Sequence, residues 1–265
     1  MGKSKSSTTP KKKKDDTFEI SGDSLNERQK DLISSMITEK INLQAKNDSQ
    51  KKLLKSIKEN QITICNGVAG SGKTLCSIYM ALSLLRDRNN KFQKILLVKS
   101  VTVLKNEELG FLKGDLREKV DPFMESFKSN AKKLFQMTNV DSLFESNIIH
   151  FLPLAYIRGT NLDNSIIILD ETQNVSIDNA RTLLTRIGGD SKIICLGDTN
   201  QIDLRNKKDS SLEVLLKIFN GVDDIGAILM DENDENCRNP IIKTIEQKFK
   251  EYSDKQPAVK ERIYG

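Results

Sequence analysis

Gly67-Val68-Ala69-Gly70-Ser71-Gly72-Lys73-Thr74 satisfies G-x-x-x-x-G-K-[ST] at every position. Its three glycines reach backbone angles that other residues avoid, so successive amide hydrogens can curl around a triphosphate. In such a loop Lys73 reaches the β- and γ-phosphates and the Thr74 hydroxyl holds Mg²⁺. The flanking residues supply the context this reading needs. Gln61 to Cys65 reads as a short strand ahead of the loop, and Leu75, Ile78, Leu82 and Leu85 recur at helical spacing behind it. Gly67 through Leu75 therefore forms a strand-to-helix turn whose helix N-terminus favours anions.

Further strands follow from unbroken apolar runs: Lys94 to Val98, Ile148 to Leu152, Ser165 to Leu169, Lys192 to Leu196 and Ile225 to Met230. Runs of this kind alternating with helices predict a parallel sheet covered on both faces, an α/β P-loop NTPase architecture. Ligands in such sheets sit beyond the carboxyl ends of the strands. Two of these ends carry acids. Asp170 follows Ile166 to Leu169 and can hold Mg²⁺ opposite Thr74, while Glu171 beside it can orient and polarise a water. The competing account of Asp170-Glu171 is an acidic cap on the helix predicted over Ser176 to Leu184. The other acidic end is Gly197-Asp198-Thr199-Asn200-Gln201. If its strand lies between the loop strand and the Asp170 strand, the Gln201 amide faces the γ-phosphate and senses its presence. A further cation is expected near the phosphates, with Arg158, Arg186 and Arg238 as candidates; a surface ion pair accounts for any one of them equally well.

The remaining composition bounds the class. With 265 residues, 37% of them hydrophobic, the chain can bury a sizeable core. No apolar run approaches the ~20 residues of a membrane span, and the N-terminus does not read as a signal peptide, so a cytoplasmic protein is expected. Cys65, Cys76, Cys195 and Cys237 are scattered and His150 is the sole histidine, which argues against a disulfide framework, a zinc site or a His-dependent triad. The net charge of +5 resides in Lys3, Lys5 and Lys11 to Lys14, leaving the body nearly neutral. Residues 1–17 therefore read as a disordered lysine-rich tail able to hold nucleic acid or simply to solubilise. Residues 18–48 read as a helical lead with an amphipathic stretch from Leu25 to Ile41, 49–253 as the nucleotide-binding domain and 254–265 as a C-terminal tail. Asp48-Ser49 is expected to cap a second helix, and Phe123 to Phe144 is helical by pattern.

Several longer strings resemble the PhoH family of ATPases, single RecA-like domains related in their motifs to superfamily 1 helicases. They are Leu109-Gly110-Phe111-Leu112-Lys113-Gly114-Asp115-Leu116 with Lys119-Val120-Asp121-Pro122, then Leu154-Ala155-Tyr156-Ile157-Arg158-Gly159, then Asp170-Glu171-Thr172-Gln173-Asn174. Leu184-Thr185-Arg186-Ile187-Gly188 and Gly197-Asp198 through Gln201-Ile202-Asp203-Leu204 complete the series. The resemblance runs from about Gln50 to Phe249. It implies ATP as the nucleotide, Gln50 rather than Gln29 as the residue that reads adenine, and Arg238 as the arginine nearest the γ-phosphate. Val68, Thr172 and Lys99-Ser100 depart from the family's usual proline, alanine and Arg-Pro. The acidic nuclease domain of some relatives has no counterpart here, so no nuclease activity is expected.

Together these features lead to an ATPase that couples hydrolysis to RNA or single-stranded nucleic acid, with no membrane partner. One RecA-like domain has no second domain to close over ATP, so a homo-oligomer, with a hexameric ring as one form, is expected to complete the site. The competing class is a nucleotide-dependent switch with little hydrolysis.

Overall fold

The structure is a computed structural model. It describes residues 25–37, 43–87, 89–99, 116–134, 137–160, 162–231 and 241–255. The lysine-rich tail, Leu109 to Asp115, Cys237 and Arg238 lie outside the described residues.

Two helices lead in, α1 (Glu27–Ile37) and α2 (Asp48–Glu59), followed by β1 (Ile62–Asn66) and α3 (Lys73–Arg86). Then come β2 (Lys94–Lys99), α4 (Leu116–Lys132), α5 (Met137–Glu145), β3 (Ile149–Pro153), β4 (Ser165–Asp170) and α6 (Ile177–Leu184). The described chain closes with β5 (Lys192–Gly197), α7 (Ser211–Ile218), β6 (Ile225–Leu229) and α8 (Ile241–Lys255). All six strands are parallel, in the order β3-β2-β4-β5-β1-β6.

Alternation along each strand divides the core into two layers. Ile166 and Ile168 of β4 point to one face with Ile194 and Leu196 of β5, where Leu53 and Ile57 of α2 and Ile78 and Leu82 of α3 cover them. Ile167 and Leu169 point to the other with Ile193 and Cys195, beneath Ala180 and Leu183 of α6 and Leu212 and Leu215 of α7. Both faces of the central strands are thus dry, which is why their sequences are apolar without a polar alternate. This is the RecA-like P-loop NTPase arrangement expected from the sequence, with β5 between the loop strand β1 and the acid-bearing strand β4.

Three details differ from expectation. The cap of α2 is Asn47, one residue earlier, because its Oδ1 reaches the Gln50 amide at 2.8 Å. The helical pattern over Phe123 to Phe144 is two helices, since the chain turns after Lys132, with the Leu134 amide donating to the Ala131 carbonyl at 2.9 Å. β6 is an edge strand that is only partly buried along its length, and its Leu229 is 68% exposed. No helix among the described residues is long and apolar enough to cross a membrane.

Candidate nucleotide site

The phosphate loop leaves β1 at Asn66 and enters α3 at Lys73. Gly70 and Gly72 hold positive φ, 79° and 88°, so the tight turn requires them. Gly67 is needed for space: a Cβ there would lie 2.9 Å from Met230 Sδ. The loop is pinned at its start by the Gly67 amide on the Gly197 carbonyl of β5 at 3.1 Å, and internally by Ser71 N on Val68 O at 3.2 Å. Lys73 Nζ curls back to donate to the carbonyls of Gly67 at 2.5 Å and Val68 at 3.1 Å. Its ammonium thus rests on the loop's own backbone. Thr74 and Leu75 continue into the first turn of α3.

Two strands away, β4 ends on Asp170, whose Oδ1 accepts the Glu171 amide at 3.0 Å. Burial at the strand end pushes the Asp170 carboxyl above its ordinary pKa, the neighbouring Glu171 charge adds to the shift, and Lys99 and Lys73 oppose it. Lys99 is level with Asp170 on the adjacent strand β2. Glu171 has φ 55° and begins a short 3-10 turn, Thr172–Asn174, without making any side-chain capping bond. The helix that follows is capped by Ser176, whose Oγ accepts the Asn179 amide at 3.4 Å. The capping account of Glu171 therefore has no bond to support it, and its left-handed backbone signals a geometry held by its surroundings.

Those surroundings converge on Gln173, fully buried. Its Nε2 donates to Glu171 Oε2 at 2.7 Å and to the Gln201 carbonyl at 3.0 Å, and its Oε1 accepts the Asp198 amide at 3.1 Å. Asp198, 5% exposed, in turn takes the Gln201 side-chain Nε2 on Oδ2 at 2.9 Å and the Asn200 amide on Oδ1 at 3.0 Å. Asn66 ties the same segment to the loop strand, accepting from Thr199 N at 3.0 Å and donating to Thr199 Oγ1 at 3.2 Å. Gln173 stands in the sequence only as part of the Asp170-to-Asn174 string, with no role of its own, and Asn66 is not marked there at all. The available signal was an amide side chain at the end of an apolar strand, or directly behind the acids, where a helix surface would serve a charge equally well.

Gln50 lies 4% exposed beside the loop. Its Nε2 donates to the Ser71 carbonyl at 2.9 Å, and its Oε1 accepts the Lys46 amide at 2.9 Å. Next to it, Ser49 Oγ accepts the Asp231 amide at 3.0 Å as the chain leaves β6. The N-terminal turn of α2 thus clamps the loop to the sheet edge. Gln29 sits elsewhere, its amide on the Ser146 carbonyl at 2.8 Å after α5. Arg158 and Arg186 are exposed. His150 lies near the start of β3, away from the carboxyl ends of the strands, where it bonds the Asn147 carbonyl at 3.2 Å and its pKa is lowered by burial. The Cys65 and Cys195 thiols are pushed up to about 12 by burial, as packing residues are.

A glycine-rich loop between β1 and α3, with an acid pair at the end of β4 and an amide-bearing segment after the strand between them, defines a P-loop NTPase, a nucleotide-binding protein. Among proteins of known kind, a family model described as PhoH-like protein matches residues 42–250. A PhoH-like protein of Bacillus subtilis is 36% identical over 222 residues, 81% of this chain and 68% of that protein. Protein PhoH of Escherichia coli K12 is 30% identical over 192 residues, 72% of this chain and 53% of that one. The chain belongs to the PhoH-like protein family. It spans 68% of the length of the first relative and about half the length of the second. Among solved structures, the HK97 bacteriophage large terminase superposes with a TM-score of 0.48 at 13% identity, covering 88% of this chain and 53% of that one.

Proposed function

We propose that the protein binds ATP with Mg²⁺ and hydrolyses it, and that turnover is coupled to binding or remodelling RNA or single-stranded nucleic acid. The observation that carries the hydrolytic part is Glu171: a second carboxylate directly beyond the metal-type aspartate, with no capping role, held in position by a buried amide. In this reading the loop amides and Lys73 bind the phosphates, Lys73 exchanging the Gly67 and Val68 carbonyls for phosphate oxygens. Thr74 and Asp170 offer hard oxygens of the kind Mg²⁺ takes alongside phosphate and water. The upward shift of Asp170 fits such an ion, because a carboxyl desolvated at a strand end beside a second negative charge is relieved by a cation. Mg²⁺ there would screen the phosphate charge. Glu171 orients and deprotonates the attacking water, and Gln201, after β5, reports the γ-phosphate.

Nucleic acid enters this proposal through the basic tail and the family, and assembly through the need for a second surface over ATP, with Arg238 or an arginine of a neighbouring copy as the added cation. The test is steady-state release of phosphate from Mg–ATP with and without RNA and single-stranded DNA. Turnover stimulated severalfold is expected; tight nucleotide binding with near-zero turnover under every condition would replace the motor with a switch.

A further inference from the structure

From the three bonds made by its side chain we infer that Gln173 is the positioning residue for Glu171, and that it joins the hydrolytic carboxylate to the Asp198–Gln201 segment in one rigid unit. The inference rests on the hydrolytic role proposed for Glu171.

A primary amide has two N–H donors and a carbonyl acceptor. In Gln173 one N–H meets Glu171 Oε2 at 2.7 Å, the other meets the Gln201 carbonyl at 3.0 Å, and the oxygen takes the Asp198 amide at 3.1 Å. Its orientation is therefore determined. Rotating the amide by half a turn would set its oxygen against a carboxylate and a carbonyl, and its N–H groups against an N–H. The site is also shaped around it: a Cβ on Gly197 would lie 2.5 Å from Gln173 Oε1, so the glycine at the end of β5 makes room for this amide. Asp198 takes the Gln201 side chain on Oδ2. One continuous path of hydrogen bonds thus runs from the Glu171 carboxylate through Gln173 and Asp198 to the Gln201 amide. A shift of Gln201 on meeting or losing a γ-phosphate moves the backbone carbonyl that shares Nε2 with Glu171. The carboxylate is aimed only while that segment is in place.

Gln173→Glu and Gln173→Met separate positioning from packing. Glutamate keeps the shape and can still accept from Asp198 N, but it offers no N–H to Glu171; methionine keeps the volume alone. Loss of a charge-assisted hydrogen bond lowers kcat on the order of 10- to 100-fold. KM and the equilibrium affinity for a fluorescent ATP analogue should stay within about twofold, because the bonds of the Gln173 side chain go to Glu171, Gln201 and Asp198 and not to the phosphate loop. The decisive arm places Gln173→Met in a Glu171→Gln background, assayed by single-turnover hydrolysis of radiolabelled ATP. If Gln173 acts through Glu171, its substitution there costs nothing further. A Gln173→Glu variant with wild-type kcat, an equal further loss in the Glu171→Gln background, or loss of nucleotide affinity together with kcat would each overturn the inference. Absence of turnover in the wild type would instead remove the hydrolytic reading itself.

Discussion

Replacing Gln50 by alanine asks what this buried amide is for. The family resemblance implies that it reads adenine, which requires its oxygen and its N–H groups to face the base. Here Nε2 holds the Ser71 carbonyl and Oε1 holds the Lys46 amide, with the residue 4% exposed. Gln50→Ala removes both bonds at once. Losing the buried bond to the Ser71 carbonyl from one side costs about 1–3 kcal/mol and dominates, because the bond to the Lys46 amide is only part-buried. For a domain of 150–250 residues each kcal/mol lowers Tm by roughly 2–4 °C, so a fall of roughly 2–12 °C is expected in thermal melts. Competition of ATP and GTP against a fluorescent nucleotide reads the second consequence. A brace weakens both by the same factor, because the loop that grips their common triphosphate has slackened. An unchanged Tm, with discrimination between ATP and GTP lost, would refute bracing and give Gln50 to the base.

Three further outcomes bear on the phosphate side of the site. Lys73→Ala should weaken ATP binding by at least tenfold in equilibrium titration, since it removes the loop's own cation. Glu171→Gln should keep ATP bound while lowering single-turnover hydrolysis by about 100-fold or more, the range expected for a lost general base. Asp170 gives a pH signature: its folded pKa is raised above the ordinary 3.8, so the native state holds the proton to higher pH than the unfolded chain does. Stability fully present in acid is then lost as pH rises through that raised value. Asp170→Asn should accordingly melt higher than wild type at pH 8 without Mg²⁺, with the gap closing toward pH 4, while supporting no Mg–ATP hydrolysis.

Much of the architecture was legible because its signals are local. Ile166 to Leu169 and Ile193 to Leu196 are apolar without interruption because each strand is buried on both faces, which only a covered parallel sheet provides. The loop's glycines declare themselves by spacing, and two of them do hold positive φ. The reading of Gln201 depends on β5 lying between β1 and β4, and the sheet has that order. The hydrogen-bonded frame behind the acids was not legible, because it is made by sequence-distant pairs. Gln173 meets Gln201 and Asp198 across 28 and 25 residues, and Asn66 meets Thr199 across 133. An amide at such a position looks the same in sequence whether it faces solvent or a carboxylate. The start of α2 moved for a milder reason: Asn47, Asp48 and Ser49 are all good caps, and only geometry selects among them.

The central claim is that a magnesium triphosphate is gripped at the exit of β1 and faces the acid pair at the end of β4. A crystal structure of the protein with a non-hydrolysable ATP analogue and Mg²⁺ tests it most directly. The account predicts Lys73 turned from the Gly67 and Val68 carbonyls onto the phosphates, the ion between Thr74 and Asp170, and Glu171 within reach of a water in line with the γ-phosphate. Nucleotide bound elsewhere, or bound in the loop with Glu171 directed away from the γ-phosphate, would contradict it.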